Sequence, residues 1–162
     1  MTQSLPQVAH DHHERIMFHV DQMPGVADRL LTARTDDARS STAAIRDFLT
    51  GTLLPHIDAA ERTLYPELER MFQNRHSMAP MRREHDEVRR LVAEYARLTD
   101  QLGAEPITLA RTLGLRRVMF QLYGLMKIHL AEEDAYLRII DHGVDTETAD
   151  VLAVALDHPV AG

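Results

Sequence analysis

Residues 78–102, MAPMRREHDEVRRLVAEYARLTDQL, decide how this chain is read. Met81, His85, Val88, Val92, Tyr95, Thr99 and Leu102 recur at alternating spacings of four and three, which keeps them on one side of an α-helix. Charged side chains such as Arg83, Asp86 and Arg90 fill the opposite side. Gly103 supplies a C′ residue to end the helix. One member of the apolar stripe is an imidazole. A buried imidazole is costly unless it is paired or holds a cation.

Three more segments show the same period. The first runs over about 7–34, with Ile16, Val20, Met23, Ala27 and Leu31 on its inner stripe and a kink at Pro24-Gly25. The second runs over about 36–73, capped by Asp36 or Asp37, with Leu49, Leu53, Ile57, Ala60, Leu64, Leu68 and Met71 inward. Pro55 and Pro66 lie inside it, yet the stripe stays in register through both, so one bent helix is expected. The fourth runs over about 106–142, from Pro106 near its N1 position to Gly143. It carries Val118, Leu122, Leu125, His129, Glu133, Tyr136 and Ile140. A short amphipathic tail near 145–157 is expected to pack outside or to mediate self-association. The fold expected is all-α: an up-down-up-down four-helix bundle with a short extra C-terminal helix. It should form one domain over 1–162, with its core at about 8–142.

Composition limits the function. Trp is absent and aromatics make up 5%, so strand signals are poor. Acidic residues exceed basic ones, giving a formal net charge of −7, which offers no electrostatic footprint for nucleic acid or anionic lipid. With no Cys, any metal must sit among nitrogen and oxygen ligands. No apolar run spans a bilayer and residues 1–20 lack an apolar signal core, so a cytoplasmic protein is expected.

The chemistry gathers on the inner stripes. In HLAEEDAYL (129–137), His129 and Glu133 stand four residues apart, one above the other on a helix. His85 holds the centre of the third stripe, His13 continues the first, and His56 flanks the second beside Pro55. Any one of these is more often a hydrogen-bonded core histidine than a ligand. Four helices each placing an imidazole inward is instead how a bundle builds a buried metal site. His12 is an alternative to His13, and His19 falls where a second layer would lie. His10 shares the terminal HDHH run; His76, His142 and His158 fall at loops or ends. Tyr65, Tyr95 and Tyr136 read as core aromatics whose hydroxyls need partners.

At these residues the chain resembles the hemerythrin-like, or HHE cation-binding, family. HHERIMFHV (12–20), LLPHIDAAERTLYPEL (53–68), MRREHDEVRRL (81–91) and HLAEEDAYL (129–137) look like its four segments in order, over roughly residues 8–140. The resemblance implies a four-helix bundle holding two iron ions, carboxylate- and oxo-bridged, with His13, His56, His85, His129 and Glu133 as ligands. The chain departs in two respects: Arg89, not His, stands four residues after His85, and Ala60 stands four residues after His56 where the family has Glu, the nearest carboxylate being Glu61. Successive α-helical residues are ~100° apart, so Glu61 points about 140° away from His56 unless a π-bulge brings it round. Three outcomes stay open. Glu61 completes a distorted two-iron site, or one ion binds (or two with water in place of the carboxylate), or the site is metal-free.

The function implied is non-haem iron binding that takes up O2, NO or peroxide for storage, transport or sensing. The alternatives are a di-iron peroxidase, catalase-like or NO-detoxifying enzyme, and a metal-depleted protein-interaction module. The expected partners are a small diatomic or peroxide ligand, no nucleic acid and no membrane, with the chain a monomer or weak homodimer.

Overall fold

The computed structural model describes residues 5–100, 102, 107–141 and 146–157. Among these every regular element is helical and no strand occurs. The α-helices are α1 (Leu5–Val20), α2 (Met23–Arg29), α3 (Thr35–Phe48), α4 (Leu54–Ala59), α5 (Tyr65–Met71), α6 (Ala79–Asp100), α7 (Leu109–Asp141) and α8 (Thr146–Asp157). No helix among the described residues is long and apolar enough to cross a membrane.

The expected first helix is two helices. The chain turns at Asp21 and Gln22, and Pro24 sits in the first turn of α2, where its missing N–H would be unpaired anyway. Because α2 ends at Arg29, the stripe shifts there. Leu30 is buried, whereas Leu31, expected inward, is 52% exposed.

The second segment is one continuous helical run over 35–71, as its apolar register predicts. Asp36 and Asp37 do not cap it. Arg34 occupies the extended N-cap, and both aspartates lie in the first turn, favourably placed against the helix dipole. Two π turns, Leu49–Leu53 and Ala60–Leu64, interrupt it. Each is closed by a bond across five residues, Leu54 N–H to the Leu49 carbonyl and Tyr65 N–H to the Ala60 carbonyl. A proline stands two residues after the end of each, Pro55 and Pro66. A proline ring inside a helix collides with the carbonyl four residues back and donates no bond to it. Widening the turn by one residue relieves both faults.

α6 matches its expected stripe, burying Met81, His85, Val88, Val92 and Tyr95. Gly103, Pro106 and Gly143, read as helix ends, lie outside the described residues. The tail helix α8 packs against α1 and buries Leu152 against residues of the second segment, while Val151 and Val154 stay exposed.

The core is two separate apolar bodies. One gathers Ile16, Leu53, Ile57, Val88, Met126 and Leu130 among others; the other gathers Ala9, Ala60, Tyr65, Met81 and Leu137 with Leu152 of α8. On every long segment the buried histidines, and Glu133 with them, fall where one body gives way to the other. His13 lies between Ala9 and Ile16, His56 between Leu53 and Ala60, His85 between Met81 and Val88. His129 and Glu133 lie between Met126 and Leu137.

Candidate metal centre

Five of the predicted site residues meet at this boundary. His56, His85, His129 and Glu133 are fully buried and His13 is 4% exposed. They form two three-residue groups, His13–His56–Glu133 and His85–His129–Glu133, each with its potential donor atoms within 4.8 Å of one another. Glu133 belongs to both. Its Oε2 lies 3.2 Å from His13 Nε2, 3.2 Å from His56 Nε2 and 4.0 Å from His129 Nε2. Its Oε1 is buried without a hydrogen-bond partner among the described residues, as is His56 Nδ1.

The outer ring nitrogens fix what the inner ones can do. His85 Nδ1 donates to Glu61 Oε1 at 2.8 Å, His129 Nδ1 to Glu84 Oε2 at 2.8 Å, and His13 Nδ1 to Asp134 Oδ1 at 2.6 Å. A carboxylate only accepts, so each of these nitrogens carries the hydrogen and leaves Nε2 with a lone pair in the neutral ring. His85 Nε2 and His129 Nε2 then face each other at 3.0 Å. Two lone pairs at that distance repel unless a proton or a cation sits between them. The donor set therefore fits a cation: imidazole nitrogens backed by carboxylates, a shared anion with an uncommitted oxygen, and no thiolate, a combination that suits iron among other first-row metals.

Glu61 belongs to neither group. A π-bulge is present over Ala60–Leu64, but Ala60 N–H still bonds the His56 carbonyl in α-helical fashion. The extra residue comes too late to turn Glu61 toward His56. Glu61 instead stands behind His85, where Arg89 holds it at 2.9 Å while also bonding Asp58. The side chain at the family's Glu position, Ala60, is fully buried in the second apolar body.

His12 is buried, its ring 5.0 Å from that of His56, but it joins neither group. His19 is exposed and stacks on Phe48, so it forms no second layer. His10 approaches Asp134 at 3.5 Å from the surface, His76 is exposed, and His142 and His158 lie outside the described residues. Tyr65 is the tyrosine that reaches the centre: its hydroxyl lies 3.0 Å from His85 Nε2, with the two rings stacked. Tyr95 donates to the Thr42 carbonyl instead, and Tyr136 packs edge-on to Phe72. Glu84 and Asp134 carry no signal on the inner stripe. Their only mark in the sequence is adjacency, Glu84 just before His85 and Asp134 just after Glu133.

Electrostatics separate the rings. Burial disfavours charge on His13, but hydrogen bonds to Asp134 and Glu133 outweigh it and raise its pKa to about 9. Burial dominates at His85 and lowers its pKa to about 4, and it also lowers that of His56 despite Glu133. Burial opposes the charge on Glu133, yet bonds from His13 and His56 hold its carboxyl well below the usual range. Burial, with Glu133 nearby, keeps the Tyr65 phenol protonated.

A pH dependence follows for chelator-treated protein. Between pH 6.5 and about 4 the unfolded chain takes up a proton that folded His85 refuses, so stability falls on acidification through that window. The loss from His85 is roughly 3 kcal/mol at most. His13 acts oppositely: its contribution is complete below pH 6.5 and disappears as pH rises through about 9. Denaturant titrations in chelator should show greatest stability near neutrality; a flat profile from pH 6.5 to 4 would contradict the buried neutral His85.

The model of the hemerythrin HHE cation-binding domain family matches residues 7–137, and the chain belongs to that family. No curated protein and no solved structure matches it in the same comparisons.

Proposed function

We propose that this chain is a non-haem iron-binding hemerythrin-like protein that takes up O2, NO or peroxide for storage, transport or sensing. The observation that carries the reading is Glu133: one buried carboxylate, shared between two groups of histidines, is the arrangement that bridges two cations. His13, His56, His85, His129 and Glu133 hold the metal in this reading, while Glu61, Glu84 and Asp134 orient three of the rings from behind. The order in which the four segments pass between the two apolar bodies supports a single up-down-up-down bundle. Bound iron would supply the redox chemistry toward O2, NO or peroxide. The chain itself surrounds these residues with buried Leu and Met side chains, and a groove of about 240 Å³ lined in part by His10, His13, Lys127 and Asp134 reaches one of them from outside.

Two observations favour variants of this reading. Ala60 leaves the centre one carboxylate short, which favours a single ion, or a second held with water. Tyr65, a protonated phenol beside His85, favours the enzymatic alternative, in which peroxide or NO is turned over.

Anaerobic loading with Fe(II), followed by iron counting and exposure to each ligand, tests the proposal. A stoichiometric absorbance change without sustained peroxide consumption is expected. Steady turnover would move the assignment to an enzyme, and no retained iron would leave only an interaction module. In the same assay Ala60→Glu should raise iron per chain or shift the absorption spectrum; no change in either would count against the missing carboxylate as the limiting ligand.

A further inference from the structure

Toward the His85–His129 group the second segment offers neither an imidazole nor a carboxylate. His56 serves the other group, Ala60 carries no donor, and Glu61 stands behind His85. The π turn at Ala60–Leu64 changes what comes next. Tyr65 is nine residues beyond His56, which in an unbroken α-helix would set it about 180° away. The widened turn takes one residue out of that count, so Tyr65 stands about 80° from His56 instead. Its phenol is thereby brought to the imidazoles, fully buried.

Three donor atoms come together here. Tyr65 Oη lies 3.0 Å from His85 Nε2, and His85 Nε2 lies 3.0 Å from His129 Nε2. Donors held about 2.1 Å from one ion, at right angles to each other, are about 3.0 Å apart. Both separations are therefore those of neighbouring ligands on a single ion. The Tyr65 and His85 rings are stacked with 15° between their planes, and their polar tips end side by side.

We infer that the phenolic oxygen of Tyr65 is a further ligand to the cation held by His85, His129 and Glu133, making up in part for the carboxylate that Ala60 lacks. The inference rests on the iron-binding reading above and adds a residue to it. Without a cation, the phenol keeps its proton and donates it to the His85 Nε2 lone pair. A cation claims that lone pair, and the hydroxyl loses its acceptor. An oxygen–iron bond then forms, the O–H bond breaks, and the proton leaves to solvent. A bound cation reverses the preference of a buried acid for its neutral form. Oxygen anions suit hard cations, so the bond should be strongest to Fe(III). The phenol is a weak donor until then, so it adds to the set that Glu133 anchors and does not replace the carboxylate.

Absorption and resonance Raman spectra of the full chain, loaded anaerobically with Fe(II) and then oxidised with ferricyanide, test the assignment. The wild type should show a visible phenolate-to-Fe(III) charge-transfer band, with phenolate ring vibrations enhanced on excitation within it. Tyr65→Phe should lose both. It should also bind Fe(III) at least about tenfold more weakly, the lower end of what loss of an outer-shell partner costs. Tyr95→Phe, which removes a buried hydroxyl bonded to the Thr42 carbonyl, should keep both signals. If Tyr65→Phe does not fold, wild type grown with ring-deuterated tyrosine decides, because the enhanced vibrations should shift. Three results would overturn the Tyr65 assignment and leave iron binding standing: Fe(III) retained without phenolate vibrations, vibrations that persist in Tyr65→Phe, or vibrations unmoved by deuteration. A chain that retains no iron would overturn both.

Discussion

Glu133→Gln is expected to strip the centre, lowering metal affinity by more than 100-fold and leaving near-zero metal after dialysis. Glutamine has nearly the same shape, so packing is spared while the charge and half of the acceptor character are lost. Both groups of histidines depend on this one carboxylate, so no group keeps three strong donors. Removing an outer-shell partner typically costs 10–100-fold in affinity, and loss of the shared anion should exceed that. The metal-free variant should also be less stable than metal-free wild type, because His13 and His56 lose their buried anion. Breaking a buried pair in this way costs about 3–5 kcal/mol. Metal analysis with calorimetric titration decides the matter; wild-type stoichiometry in the glutamine variant would remove Glu133 from the set.

Removing metal from the wild-type chain should have the second largest effect. A cation bound only by the folded state at about 1,000 times its Kd adds about 4 kcal/mol. For a chain of this size each kcal/mol shifts the melting temperature by about 2–4 °C, so chelation should lower it by roughly 10 °C. The protein should stay helical when stripped, because neither apolar body contains the site residues. Thermal scans with and without chelator, followed by re-addition of Fe(II), Mn(II) or Zn(II), give the measurement. Superimposable scans would mean that the facing imidazoles are satisfied by protons.

Much of this was legible in the residues. His85, His129 and Glu133 interrupt strong apolar stripes, and a polar group there has to face inward whatever packs against it. Ala60 could be read as apolar and buried. Other features depend on contacts between segments. Glu84 and Asp134 lie beside the inner stripe, and only the neighbouring helix decides that they turn back toward a ring. A widened turn near Pro66 was foreseeable from the proline. Its start only at Ala60, after an α-helical bond back to His56, was not, and that register leaves Glu61 behind His85. Pro24-Gly25 marked a disturbance correctly, but whether the helix bends or stops there is set by packing, and the stop moved burial from Leu31 to Leu30.

Splitting the interior into two greasy halves makes the polar belt between them a mechanical seam. A cation held there, as proposed, would work as a clasp, tying the long segments at the level where hydrocarbon contact is interrupted. Its loss would then slacken the grip of one half on the other.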